Sequence, residues 1–305
     1  MLTCSELKKN YENADITPFF AEKLIFEGVG EKDVYNITAP FVVQKERVIA
    51  GRVESRDSEE SEIRFFVQKD GKWFPKEKAP VFRLQDPFYT FIDGELILGG
   101  VETYPAPEAP EKVGWRTVFY KGSSLENLEQ FFTGPDKMKD LRLVQLKDGK
   151  IGVFTRPQGA KGGRGKIGFA RIDRLEDLSV EEVEEAPLLT DQFTDEEWGG
   201  CNEIHVLNDG TLGIVGHIAC YDAEGNRHYY SMTFCMDPES GEKTDLKLLA
   251  VRNDFLPSEP KRSDLADVVF SGGLIRHSNE TATLYAGISD ADAQCILLPD
   301  PFAGL

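Results

Sequence analysis

A chain of 305 residues that is 40% hydrophobic can bury a sizeable core, and a closed all-β ring of this length is routinely one domain. A formal charge of −18, from 35 basic and 53 acidic residues, argues against nucleic acid or an anionic membrane as partner, because both are bound by clustered Lys and Arg. No apolar run approaches the roughly 18–20 residues of a membrane span, and the first residues, MLTCSELKKNYENADITPFF, lack the apolar stretch of a signal peptide, so the chain reads as cytoplasmic.

Residues 1–33 are of mixed polarity, with a helix-compatible piece over Ser5–Asn13 that Ser5 would cap; this segment is expected to lead in and pair with the last part of the chain. From Val34 the pattern alternates: VYNITAPFVV, RVIAGRVES and EIRFFVQKDGKWF read as strands, the last turning at Asp70-Gly71. A second group runs from Val81 to WRTVFYKG, interrupted by TYPAPEAPEKVG, a loop too polar for the core and expected to rim one face. SSLENLEQFFTGPDKMKD opens with a helix-capping pattern at Ser124, with Leu128 and Phe131 at helical spacing. QGAKGGRGK is a flexible Gly-rich loop without the order or following helix of a phosphate-cradling P-loop. RIDRLEDLSVEEVEEAPLL reads as an outer strand passing into a linker, HYYSMTFCMDPESGEKTDLKLLA as a hairpin, and NDFLPSEPKRSDLA as a loop before the closing strands.

One form returns along the chain. LQDPFYTFIDGELILGGVE, KDLRLVQLKDGKIGVFTRPQ and CNEIHVLNDGTLGIVGH each place a polar residue (Asp86, Asp140, Asn202) before an apolar run, an Asp-Gly turn and a second apolar run. Weaker copies are APFVVQKERVIAGRVE, with Glu46-Arg47 at the turn, and DVVFSGGLIRHSNETATLYAGIS, with Ser278-Asn279. The anchors Ala39, Asp86, Asp140, Asn202 and Asp267 are spaced by 47, 54, 62 and 65 residues. Several short strands per period of this size, without a long helix, predict an all-β fold, a five-bladed β-propeller occupying 1–305 with blades near 34–75, 81–122, 139–180, 200–250 and 265–300.

In a propeller the innermost strands line a central channel, so polar anchors at equivalent positions converge there. Asp86, Asp140, Asn202, Glu203 and Asp267 would meet Arg52, Arg156 and His217 from the second strands. Carboxylates with Arg and His in an enclosed channel suit sugar binding and glycosidic-bond cleavage, where one acid protonates the leaving oxygen. Each residue also has a structural reading: Asp86-Pro87 forms turns, Asp140 and Asp267 cap loop amides, Asn202 bonds turn backbone, the arginines sit on exposed edges, and His217 is a satisfied core histidine. Five widely spaced cysteines without a C-x-x-C pair read as free thiols, and four histidines without ligand spacing predict no metal and no cofactor.

These residues resemble the five-bladed propellers of glycoside hydrolase family 130, the β-mannoside phosphorylases and mannosidases. QDPF is similar to the family's E-D-P-R, whose Asp is the proton donor; KDLRL and TRP resemble its K-D and H-R-P segments; GHIA resembles Y-H-G. DVVFSGGLI…LYAGISDAD resembles the closing V-V-F-P-x-G…Y-Y-G-x-A-D signature. The chain also resembles an uncharacterised bacterial propeller family known only as a domain of unknown function. Phe88 stands where the family has Arg, Gln85 where it has Glu, and Thr155 where it has His, which weakens the expectation of a phosphate nucleophile. The resemblance implies a small-carbohydrate substrate, Asp86 as general acid, and Glu203 or Asp140 as base. Arg52, Glu54, Lys139, Arg156, Asn202, His217, Asp267 and Asp290 would hold hydroxyls or phosphate. Hydrolysis is slightly favoured over phosphorolysis, with inorganic phosphate kept as a co-substrate; a non-catalytic sugar- or protein-binding propeller is the alternative, and self-association into a homo-oligomer stays open.

Overall fold

The computed structural model describes residues 1–14, 16–106 and 109–305. The chain is mostly β, built as antiparallel meanders. The first contains Phe41–Val43, Glu46–Glu54, Ser61–Lys69 and Lys72–Pro75, with Asp33–Tyr35 also on the second of these. The second contains Gln85–Ile92, Glu95–Ala106, Ala109–Gly122 and Glu129–Thr133. The third is Arg142–Gln145, Ile151–Thr155 and Gly168–Ile172. The fourth contains Trp198–Val206, Leu212–Tyr221, Arg227–Met236 and Lys247–Ala250. Asp267–Arg276, Thr281–Ile288 and Asp292–Pro299 follow, and Phe20–Lys23 pairs antiparallel with the last of them.

Hydrogen bonding groups these strands into four sheets rather than five, because His228 and Tyr229 pair in parallel with Asp267 and Val268 and join the last two predicted repeats. Packing follows a different count. One apolar cluster joins the first meander to the second (Phe65 with Leu98) and another the second to the third (Phe119 with Val153). A third joins the third meander to the fourth (Phe154 with Ile214), and a fourth joins that to the closing strands (Val215 with Leu284). The fifth packs the closing strands back on the first meander (Cys295 with Phe66). Strands buried on both faces make such interfaces, which is why Val48–Glu54 is buried without alternation.

Several local expectations change. The first hairpin turns at Gln44-Lys45 (φ 51° and 66°), one pair before Glu46-Arg47. Thr3, not Ser5, caps the helix Cys4–Asn13, in a reciprocal capping box with Glu6. The helix expected from Ser124 is a single 3-10 turn, Leu125–Asn127, before a strand; Asn127 bonds back to the Ser124 amide and ends it. The linker after Arg171 forms a short helix, Val180–Glu185, capped by Ser179. The Pro-rich stretch 103–114 is the outer part of a long hairpin, Thr103 facing Trp115, with 107–108 outside the described residues. Pro105 fits there because a two-stranded ribbon leaves one edge of each strand unpaired.

Candidate active site

The site is built where strands begin irregularly. Asp86 sits in a bulge between Gln85 and Phe88, Asn202 in one between Cys201 and Glu203, and a third bulge lies between Ser271 and Gly273. Asn36, Asp86, Asp140 and Asp290 all take left-handed backbone, φ 43°, 49°, 61° and 51°. Asn and Asp tolerate that conformation because their short side chains bond locally.

Two buried networks result. In one, Asp86 Oδ1 accepts from Asn36 Nδ2 at 2.8 Å and from Arg52 Nη1 at 3.1 Å. Arg52 Nη2 in turn donates to Glu54 Oε2 at 2.7 Å, and its guanidinium lies 5.0 Å from the Tyr35 ring centre. Burial pushes the Glu54 carboxyl up, but Arg52, Lys261, Ser61 and Tyr35 outweigh it and hold the group at about 2.

In the other network, Asp140 is 2% exposed and its Oδ2 lies 3.2 Å from Arg156 Nη1 and 3.9 Å from His217 Nε2. Burial opposes ionisation of Asp140, yet Arg156, His217, Lys139 and Arg142 together hold it at about 2. His217 is pushed down to about 3 by burial, Asp140 opposing and Arg156 reinforcing, so its ring is neutral near pH 7. Its Nδ1 lies 2.9 Å from Asn202 Oδ1. Arg142, unremarked in the sequence, donates to Asn202 O and Leu141 O while its guanidinium stacks 3.7 Å over the Phe88 ring. The position where the resembling motif carries Arg is thus filled by a ring that supports an arginine from the next meander.

A cavity of about 220 Å³ brings Asp86, Asn36, Arg52, Lys139 and Asp290 together. It shares Lys139, Gln85 and Tyr229 with a cleft of about 790 Å³ that continues past Arg156 to Trp115, Trp198 and Tyr221. Burial raises Asp290 above the usual carboxylate range, Arg52 opposing and the Asp86 charge reinforcing. Among the described residues neither Asp290 nor Lys139 forms a side-chain hydrogen bond or ion pair, and Arg156 Nη1 and Asn202 Nδ2 have no hydrogen-bond partner.

Three sequence candidates lie elsewhere. Glu203 accepts from the Leu274 amide and pairs with His205 Nε2 at 2.9 Å; none of its hydrogen bonds reaches the cavity. Asp267 bonds His228 Nδ1 at 2.6 Å and Tyr230 Oη at 2.7 Å, four residues short of the bulge that corresponds to Asp86 and Asn202. Glu54 contacts Arg52 and Lys261 and does not line the cavity. In the first repeat the polar anchor is Asn36, not Ala39; a search for polar residues in VYNITAP would have found it. Among the described residues no cluster of His, Cys, Asp and Glu is placed to hold a metal ion, and no helix is long and apolar enough to cross a membrane.

Residues 11–304 match the family described as protein of unknown function (DUF1861). The chain belongs to the DUF1861 family. The DUF1861 chain is 33% identical to MPT-4, a mannose phosphorylase from Leishmania mexicana solved with a phosphate ion, over 98% of this chain and 93% of that one, with a TM-score of 0.90. It is 31% identical to MPT-1, a GDP-Man-dependent mannosyltransferase from the same organism, over 99% and 97% of the two chains, also at 0.90. The β-1,2-mannobiose phosphorylase of Listeria innocua shares the fold at 14% identity, over 94% and 93%, with a TM-score of 0.63. No curated protein sequence matches. The likeness to family 130-type mannoside enzymes and the kinship with a domain family of unknown function both hold.

Proposed function

We propose that the DUF1861 chain is a carbohydrate-active enzyme that moves a mannosyl unit between a β-mannoside and inorganic phosphate, at the channel of a five-bladed propeller. The blade count rests on the five apolar interfaces, the last of which returns to the first meander. The cytoplasmic reading rests on its five free cysteines.

The observation that carries the activity is that cations flank the same cavity system as the two carboxylates. Lys139 borders both the cavity holding Asp86 and Asp290 and the cleft holding Arg156. A phosphate dianion needs charge-assisted donors, and Arg offers two in a fixed fork. Phosphorolysis therefore replaces hydrolysis as the preferred reading, the more so because Glu203, the proposed activator of water, is committed to Leu274 and His205. The identity to a mannose phosphorylase supports the same choice.

In this reaction a phosphate oxygen bonds to the anomeric carbon while the glycosidic C–O bond breaks, and the leaving oxygen takes a proton. The proton comes from the Asp86–Asp290 pair. Asp86 is held at the cavity by Asn36 and Arg52, which donate to its Oδ1. Asp290, raised by burial, retains a proton at higher pH than an exposed carboxylate. Asp140 stays ionised and holds Arg156 in place.

The test is mannose 1-phosphate formation from β-1,2-mannobiose with and without phosphate, followed by phosphorus NMR, with GDP-mannose as a parallel donor. Phosphate-dependent release is expected, and Asp86→Asn should lower kcat by about 10²- to 10⁴-fold. Release without phosphate would make the chain a hydrolase; use of GDP-mannose alone would make it a transferase; no product with any donor would favour a binding module.

A further inference from the structure

Glu54 gathers partners from beyond its own hairpin. Its carboxylate is 1% exposed, and it accepts from Tyr35 Oη at 2.6 Å, Arg52 Nη2 at 2.7 Å, Ser61 Oγ and Lys261 Nζ. Three of these belong to the first meander. Lys261 is 207 residues away in sequence, on the segment between the 3-10 turns Arg252–Asp254 and Ser263–Leu265. Its side chain is only 4% exposed, and its ammonium also donates to Ser58 O at 2.7 Å and Glu59 Oε1 at 3.0 Å. Mere fastening of a loop would be served by exposed charges; taking an ammonium out of water costs free energy that only well-formed partners offset.

The backbone of the same residue points the other way. Lys261 N donates to Ser289 O at 3.0 Å, one residue before Asp290, and Arg252 Nε donates to Ser289 Oγ at 3.3 Å. Ser289 and Asp290 both hold left-handed backbone, φ 54° and 51°, a conformation that persists only where surroundings fix it. One residue is thus bonded through its side chain to the carboxylate that orients Arg52, and through its amide to the turn that presents Asp290.

We infer that Lys261 is a positioning residue that sets the separation of Asp86 and Asp290, acting through Glu54 and Arg52 on one side and the Ser289–Asp290 turn on the other. Its catalytic consequence rests on the mannosyl-transfer reading; its structural consequence does not. Two carboxyl groups that line one cavity act on one bond only at a set separation, and neither has a direct hydrogen bond that fixes it to the other.

Lys261→Met alone strands the Glu54 charge, so the neutral double variant Lys261→Met/Glu54→Gln and the charge-keeping Lys261→Arg accompany it. In phosphorolysis of β-1,2-mannobiose, both Met variants should lose about 100-fold in kcat with KM for each substrate nearly unchanged, since a misplacement of about 1 Å costs that much, and Lys261→Arg should regain most of it. A folded double variant with the wild-type kcat, or a loss carried wholly by KM, would overturn the inference. Amide hydrogen exchange read by mass spectrometry needs no turnover. Both Met variants should lose protection together in 55–60 and 286–291, while 151–155 keeps its own; a change confined to 255–262 would equally overturn it. A wild-type protein inactive on every donor but showing the coupled exchange response would sink the mannosyl-transfer reading and leave the positioning by Lys261 standing.

Discussion

Polar residues at strand starts build the candidate site, and they do so through backbone shape as much as charge. Asp86 and Asp140 were legible because each precedes an apolar run and an Asp-Gly turn, and Arg52 and Arg156 because they end the paired strands. Asp267 opens its strand four residues before the bulge that corresponds to those at Asp86 and Asn202, and a bulge leaves no signal in apolar alternation alone. At this scale Arg156 offers a clean test. Its Nε donates to Gly199 O at 3.0 Å while Nη1 faces Asp140, an arrangement that needs a planar fork. Arg156→Lys keeps the charge and loses the fork, so KM for phosphate should rise about tenfold or more while KM for the mannoside changes less, in initial-rate measurements with each substrate varied.

Hairpins were the most readable elements, since their turns need particular residues. Asp70-Gly71 and Asp93-Gly94 both take positive φ at each position, the geometry of a two-residue turn that matches strand twist. At Asp148-Gly149 and Asp209-Gly210 only the Gly does, and the loop is one residue longer, with Lys147 or Asn208 preceding the Asp, closed by Leu146 with Lys150 and by Leu207 with Thr211. Residues 1–33 read as a lead-in that pairs with the last part of the chain, but which of them form the strand is not marked in the sequence: Phe20–Lys23, four residues of mixed polarity, become a strand because an edge is waiting for them. That edge is Asp292–Pro299, bearing Ile296 and Leu298. Removal of residues 1–23 should therefore uncover it, lowering the thermal unfolding midpoint and producing aggregates that light scattering detects, as unpaired edges do. An unchanged midpoint would mean that the fifth apolar interface holds the closing strands without help.

At the scale of the molecule, burying charges makes stability depend on pH. His217 has its folded pKa depressed to about 3 by burial, below the ordinary histidine value, so the unfolded chain binds the extra proton first. Stability from this group is full above roughly pH 6.5 and falls as pH drops toward 3. Glu54 and Asp140, each held at about 2, are also depressed, and their contribution is lost below roughly pH 4.5. The net charge of −18 acts in the opposite sense, because acidification relieves its self-repulsion. Comparison with His217→Gln separates the two: between pH 7 and 5 the variant should lose less of its unfolding midpoint than the wild type, by circular dichroism. Equal slopes would show that the histidine's burial is relieved some other way.

Alternation and Asp-Gly pairs act within a few residues and need no distant partner, so the strand class and most of the turns can be read along the chain. The sequence also supplies Asp86, Lys139, Asp140, Arg156 and Asp290 as residue types in recognisable places. Which of them meet depends on packing between distant parts of the chain. Bulges set which way a strand's first residues face, and packing between meanders brings Arg142 onto Phe88 and Lys261 onto Glu54 across long stretches of chain. Glu203, Glu54 and Asp267 carry the right chemistry but are already bonded to neighbours, and that saturation depends on distances between strands that no local pattern encodes.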